Sequence, residues 1–204
     1  MMALLRLGEN GKLLLGGQEL RPAVKKNIVV LVDTSGSMAG EKIEQVKGGT
    51  LDFALSVIPK GYAVTVIVFA DRGAVVCDPT ADAGMLARRI KGLDTGIVGG
   101  LTYLGRGLAV CMKVPDLSHV LVVTDGQAND PAQALSIAAT LKSGGVEILT
   151  LGTHDADGAF LSQLASRPDM NVLTSDSGIR SAMSQAGQFL LGTGSNAIQL
   201  GGGR

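Results

Sequence analysis

Uninterrupted apolar runs of strand length recur along this chain, and they constrain its fold more than any other feature. They fall at residues 28–32, 64–69, 120–123 and 148–151, with a weaker one at 171–173. A strand that is apolar without alternation is covered on both faces, as in a parallel sheet. The runs therefore predict a buried, mainly parallel sheet.

Helix-like segments lie between these runs, at residues 40–58, 82–91, 104–112, 131–143, 157–165 and 177–190. In the first segment, apolar residues recur every three to five positions, which indicates an amphipathic helix. Gly48 and Gly49 in its middle each cost about 1 kcal/mol relative to alanine. They therefore predict either close packing on the sheet or a local kink.

The segment RGAVVCDP follows the second run too closely for a helical crossover, which predicts an antiparallel edge strand at residues 74–77. The whole pattern predicts an α/β, doubly wound, mostly parallel central sheet of about six strands with helices on both faces. We place this domain at residues 25–191, after an N-terminal extension (1–24) and before a Gly-rich tail (192–204). The two ends either pair with each other or are flexible.

Charge and composition narrow the possible partners. Lys plus Arg equals Asp plus Glu at 18 each, so no basic surplus favours nucleic acid or anionic lipid. Arg6 and Glu9 interrupt the first apolar stretch, unlike a signal peptide, and no run reaches membrane-spanning length. We expect a soluble, cytoplasmic protein. Cys77 and Cys111 lack metal-ligand spacing and are read as small buried hydrophobes.

A cluster of oxygen-bearing side chains follows the first apolar run. Asp33 ends that run, and Ser35 and Ser37 flank Gly36 directly after it. One carboxylate and several hydroxyls on a tight loop at a strand end suit a hard cation such as Mg²⁺. An alternative is that Asp33 and Ser35 only cap the helix that starts near Gly40.

Two further segments supply matching oxygens. Asp125 and Gly126 follow the third apolar run, and Thr102 lies on a Gly-rich loop ahead of a helix, which it could instead cap. The carboxyl ends of parallel strands meet at one edge of a sheet. The spacing therefore predicts one shared metal site.

At this point the chain resembles the von Willebrand factor A domain, because the residues from Asp33 to Met38 match its DxSxS signature and Thr102 and Asp125 match its other two elements. The resemblance covers residues 25–190, with Leu101 where many members have glycine. It implies a metal-ion-dependent adhesion site that binds Mg²⁺, with Mn²⁺ or Ca²⁺ possible. The implied ligands are Asp33, Ser35, Ser37, Thr102 and Asp125.

In that family the two serines bind the cation directly, and a partner protein's Asp or Glu fills an open position. The resemblance thus implies a non-enzymatic protein-binding module with no catalytic residue. Intracellular members suggest a MoxR-type AAA+ ATPase or a tellurite-resistance-type system as its setting, without nucleic acid or membrane.

Two other functions remain open. A Mg²⁺-dependent phosphotransferase of haloacid dehalogenase type also uses a strand-end aspartate, but it needs a second acid at the position held here by Ser35. His119 and His154 offer no replacement. The other alternative is a metal-free scaffold.

Overall fold

A computed structural model describes residues 26–192 in full and, before them, the backbone of three short strands. These strands are β1 (Leu5–Leu7), β2 (Leu13–Leu15) and β3 (Gln18–Glu19), and they form a small antiparallel sheet in that order. The predicted N-terminal extension therefore contains strands that the sequence pattern did not indicate. The predicted pairing of the two chain ends involves residues after 192, which lie outside the described residues.

A second sheet of six strands forms the centre of the described chain. Its strands are β4 (Lys26–Asp33), β5 (Tyr62–Phe69), β6 (Gly73–Thr80), β7 (Leu117–Thr124), β8 (Glu147–Thr153) and β9 (Asn171–Thr174). The order is β6-β5-β4-β7-β8-β9, and only the β5–β6 pair is antiparallel. The predicted doubly wound sheet with one antiparallel edge strand is confirmed.

Six α-helices flank these strands in the part of the chain that the structure describes. They are α1 (Glu41–Val57), α2 (Ala83–Ile90), α3 (Leu104–Cys111), α4 (Pro131–Ser143), α5 (Gly158–Leu164) and α6 (Ile179–Leu190). Helices α1, α2 and α6 share one apolar core with the sheet, and α3, α4 and α5 share the other. The sheet is thus covered on both faces, as its continuous apolar runs predict.

Strand β4 divides its side chains between the two cores. Ile28, Val30 and Val32 face the core with α1, whereas Val29 and Leu31 face the core with α3, and all five are 0% exposed. This alternation follows from the two-residue period of a strand. The strand therefore needs apolar residues at every position.

The strand order reverses between β4 and β7. The chain leaves β4 through α1 to β5 on one side, and later enters β7 on the other side of β4. In doubly wound sheets, the loops diverge at such a point and leave a crevice beyond the carboxyl ends of the strands. Asp33 and Asp125 lie at the two borders of this crevice.

The contact made by the α1 glycines differs from the prediction, which was either close packing on the sheet or a local kink. A Cβ atom on Gly49 would lie 2.6 Å from Met183 Sδ, and one on Gly48 would lie 2.9 Å from Arg180 Cδ. Both glycines thus face α6. Their lack of a side chain lets the two helices approach closely, because helix backbones meet only where the intervening residues are small.

The edge strand β6 is longer than the predicted 74–77 and contains Pro79. Proline is tolerated there because β6 pairs on one side only, with β5. Cys77 and Cys111 are both free and buried, and burial raises the pKa of each thiol, which agrees with their interpretation as small hydrophobes. In the part of the chain that the structure describes, no helix has the length and apolarity required to cross a membrane.

Candidate metal centre

Asp33 is the last residue of β4, and its side chain is fully buried. Its Oδ1 accepts a hydrogen bond from the Ser35 backbone N–H at 2.8 Å, and its Oδ2 accepts one from Thr124 Oγ1 at 2.6 Å. Burial raises the pKa of Asp33 to about 6, although these hydrogen bonds act to lower it. A cation beside this carboxylate would favour its charged form.

Ser37 lies on a short 3₁₀ turn that follows Asp33, and Ser35 directly precedes that turn. Ser35 Oγ lies 3.2 Å from Ser37 Oγ, and Ser37 Oγ donates to Asp125 Oδ1 at 2.8 Å. The turn, Gly36–Met38, is fixed to the core by Met38, which is 0% exposed. Ser37 thereby joins the loops after β4 and β7.

The capping alternatives are wrong. Helix α1 begins after Gly40 with no side-chain cap, and Ser35 makes no capping hydrogen bond to its 3₁₀ turn. The residue that precedes α3 is Tyr103, which also makes no side-chain cap, so Thr102 does not fill that role. The hydroxyl oxygens of Ser35 and Thr102 therefore do not cap a helix and are free of that role.

Thr102 approaches the same crevice from the loop before α3. An ideal Cβ atom on Gly126 would lie 3.4 Å from Thr102 Oγ1 and 4.0 Å from Asp33 Oδ2. Gly126 thus leaves open a small space between the threonine hydroxyl and the aspartate carboxylate. A larger residue would narrow that space.

Two neighbours hold the Thr102 loop in place. The Thr102 backbone N–H donates to Asn129 Oδ1 at 2.8 Å, and the Asn129 N–H donates to the Thr102 carbonyl at 2.8 Å. The Leu101 N–H donates to Asp71 Oδ1 at 2.9 Å. Leu101, where many family members have glycine, is therefore accommodated with its side chain about half exposed.

Asp125 has a partner that the sequence did not suggest. Its side chain is 1% exposed, and its Oδ2 lies 2.6 Å from Lys42 Nζ, on the first turn of α1. Burial acts to lower the pKa of Lys42, but the hydrogen bond and the charge of Asp125 outweigh burial and raise it. Lys42 therefore stays charged at neutral pH.

The residues of the crevice fit a hard divalent cation. The structure brings the predicted residues Asp33, Ser35, Ser37, Thr102 and Asp125 to one edge of the sheet. Among the described residues, no group of three or more His, Cys, Asp and Glu side chains is arranged to hold a metal. A cation here would consequently need the hydroxyl oxygens, which suit Mg²⁺ better than a thiol-preferring metal. The ligand assignment itself stays a prediction.

Sequence reasoning missed the supporting residues Lys42, Asp71, Thr124 and Asn129. Thr124 directly precedes Asp125 at a strand end, which is the one local signal among them. The two histidines lie elsewhere: His119 is in β7 beside Ser118 and Glu147, and His154 is exposed after β8. Neither contacts the crevice oxygens through a described hydrogen bond.

The chain is a doubly wound α/β domain with carboxylates and hydroxyls gathered at the switch point of its sheet, which is where domains of this class bind their ligands. The family model for the von Willebrand factor type A domain matches residues 27–185. The chain therefore belongs to the von Willebrand factor type A domain family.

Curated relatives agree with this assignment. Human Matrilin-1 is 30% identical over 157 residues, covering 70% of this chain and 31% of that protein. Bovine Matrilin-1 is 29% identical over 157 residues, covering 70% of this chain and 28% of that protein. The chain thus spans about a third of the length of the curated relatives it matches.

Two solved structures share the fold at low sequence identity. The vWF domain of the type V pili tip protein Mfa5 from Porphyromonas gingivalis has a TM-score of 0.73 at 14% identity, covering 89% of this chain and 99% of that one. Proximal thread matrix protein 1 from the mussel byssus, in a structure with a zinc-occupied MIDAS motif, has a TM-score of 0.65 at 20% identity. The match covers 81% of this chain and 46% of that one.

Proposed function

We propose that this protein is a metal-dependent protein-binding module. A divalent cation held by Asp33, Ser35, Ser37, Thr102 and Asp125 would accept an Asp or Glu side chain from a partner protein. The observation that carries this proposal is the hydrogen bond from Ser37 to Asp125, because it joins the two loops whose oxygens must meet around one ion. The family membership of the chain supports the same function.

Charge balance at the crevice permits an anionic partner. The two carboxylates of the crevice only neutralise a divalent cation, and the remaining oxygens are neutral hydroxyls. An added carboxylate is then electrostatically acceptable, because it leaves the ion and its carboxylates with only one excess negative charge.

Mg²⁺ is the proposed cation, with Mn²⁺ and Ca²⁺ as alternatives, because the oxygens are hard ligands. The zinc-occupied motif of the mussel protein supports a divalent ion at the corresponding place. The cytoplasmic location and a MoxR-type or tellurite-resistance-type setting are also proposals, without nucleic acid or membrane.

Binding is favoured over phosphotransfer by the surroundings of Asp33. Both of its oxygens accept hydrogen bonds, and Ser35 stands where a phosphotransferase needs its second acid. The metal-free scaffold is the second candidate, and one observation favours it: Lys42 already neutralises Asp125. The two candidates differ in whether the protein takes up a divalent cation.

Calorimetric titration with Mg²⁺ and Mn²⁺ separates these functions. The wild type should bind one cation, and Asp33→Ala should lose that binding. Asp78→Ala is the matched control, because Asp78 is exposed near the far end of edge strand β6, and it should bind as the wild type does. No heat from the wild type would support the scaffold.

Affinity capture then tests the partner. The wild type and Asp78→Ala should retain a protein in Mg²⁺ and release it in chelator, whereas Asp33→Ala should retain none. Release of phosphate from a generic phosphate ester, lost on Asp33→Asn, would instead establish an enzyme.

A further inference from the structure

Lys42 lies among three carboxylates that belong to three different segments. Its Nζ is 2.6 Å from Asp125 Oδ2, 3.8 Å from Asp176 Oδ2 and 4.0 Å from Asp155 Oδ2. Asp125 follows β7, Asp155 follows β8, and Asp176 begins the short turn that leads into α6. One ammonium group therefore faces a proposed metal ligand and two acids that the proposed metal site does not use.

The three acids differ sharply in their exposure to solvent. The side chain of Asp125 is 1% exposed, whereas those of Asp155 and Asp176 are 81% and 46% exposed. A buried carboxylate without a partner is unfavourable, but solvated carboxylates need none. In the metal-free protein, Asp125 is thus the acid whose buried carboxylate depends most on the positive charge of Lys42.

We propose that Lys42 is a built-in counter-cation for Asp125, which a divalent cation displaces towards Asp155 and Asp176. This inference rests on the proposed function, since it concerns the same site. A cation bound to Asp125 repels an ammonium group on the same carboxylate, because like charges at a few ångströms cost free energy at low effective dielectric. The flexible stem of a lysine permits a shift of a few ångströms without movement of the backbone.

Two consequences follow for the working of the site. Lys42 lowers the apparent affinity for the cation, because the ion must displace a charge already in place. Cation binding also strengthens the contacts of α1 with the loop after β8 and with the turn before α6. The rim around the crevice, which a partner would meet, therefore differs between the metal-free and the cation-bound protein.

The first test compares Lys42→Met, which keeps the stem and removes the charge, with Lys47→Met. Lys47 is on the same helix and pairs only with Glu44 among the described ion pairs, at 2.6 Å. Calorimetric titration with Mn²⁺ should give about tenfold tighter binding for Lys42→Met and less than a twofold change for Lys47→Met, where tenfold corresponds to about 1.4 kcal/mol. In chelator, the melting temperature of Lys42→Met alone should fall, because the buried charge of Asp125 loses its ion-pair partner and keeps only the hydrogen bond from Ser37.

The second test is a cycle with the double variant Asp155→Asn/Asp176→Asn. Removing two nearby acids weakens cation binding by a general electrostatic effect in any background. If Asp155 and Asp176 also receive the displaced ammonium, the double variant should lose more cation affinity when Lys42 is present. The fold-loss of affinity should then be at least three times larger with Lys42 than in the Lys42→Met background. Equal losses in the two backgrounds would overturn the transfer of Lys42 to these acids.

The outcomes distinguish this inference from the proposed function. Equal Mn²⁺ affinity of the wild type and Lys42→Met would overturn the inference and leave the metal site intact. Absence of cation binding by both proteins would overturn the proposed function together with this inference. Cation binding by Lys42→Met alone would support the counter-cation role in its strongest form.

Discussion

Thr124 Oγ1 donates a hydrogen bond of 2.6 Å to Asp33 Oδ2, which joins the carboxyl ends of the neighbouring strands β4 and β7. Both residues are almost completely buried. This bond holds the Asp33 carboxylate at the switch point of the sheet. It also makes Asp33 part of the interior, although sequence reasoning placed it just beyond the strand.

The buried position of Asp33 makes the metal-free protein sensitive to pH. Because burial raises its folded-state pKa to about 6 from 3.8, the folded protein binds more protons than the unfolded chain between these values. The contribution of Asp33 to the free energy of unfolding is thus fully present below pH 3.8 and is lost as pH rises through 6. Asp33→Asn should remove this dependence.

Thermal melts in chelator measure the effect. At pH 7 Asp33→Asn should be more stable than the wild type by about 3 kcal/mol, and the free energies of unfolding of the two proteins should converge near pH 4. The hydroxyl of Thr124 can rotate to accept from the new amide, so the side chain at position 33 keeps its contacts with Ser35 and Thr124. If the free energies of unfolding of the two proteins differ by the same amount at every pH in this range, the pH dependence does not come from Asp33.

Thr102 should contribute to cation affinity through its hydroxyl alone. Thr102→Val preserves the shape of the side chain and removes the oxygen, and it should weaken Mg²⁺ binding by about tenfold, or about 1.4 kcal/mol. Thr102→Ser keeps the oxygen and should bind within about twofold of the wild type. Calorimetry measures both, and equal weakening by the two variants would show that the methyl group matters instead.

Asn129 should act by positioning the Thr102 loop. Asn129→Ala removes the acceptor of the Thr102 N–H, which should lower the free energy of unfolding by about 1 kcal/mol and weaken cation binding. Gln127→Ala, an exposed position in the same loop, is the control and should change neither. Chemical denaturation measures the change in the free energy of unfolding, and calorimetry measures the change in cation affinity. If Asn129→Ala binds the cation as the wild type does, Asn129 contributes to stability alone.

The two adjacent glycines of α1 should respond differently to alanine. In Gly49→Ala the new methyl group would lie 2.6 Å from Met183 Sδ and 3.1 Å from the Arg180 backbone, so α6 must move and stability should fall by about 1–3 kcal/mol. In Gly48→Ala it meets only the flexible Arg180 side chain, and the higher helix propensity of alanine should offset that contact. Urea unfolding compares the two, and equal destabilisation would contradict the contact with α6.

The sequence by itself determined the sheet and the order of its elements. Continuous apolar runs such as that of β4 can be stable only as strands covered on both faces, and this follows from local pattern alone. Oxygen-bearing residues directly after two such runs, at Asp33 and Asp125, then predict a shared edge, because parallel strands end on the same side. The predicted helices agree with the structure to within one or two residues, because apolar periodicity is also local.

Only the tertiary structure decided which distant side chains meet. Lys42 and Asp125 are 83 residues apart in sequence, and nothing near Lys42 distinguishes it from Lys47, the other lysine of α1. The α1 glycines face α6 rather than the sheet for the same reason: local sequence shows that space is needed, but not which element occupies it. Ion pairs and close helix contacts depend on how elements pack around the whole sheet, which no short window of sequence encodes.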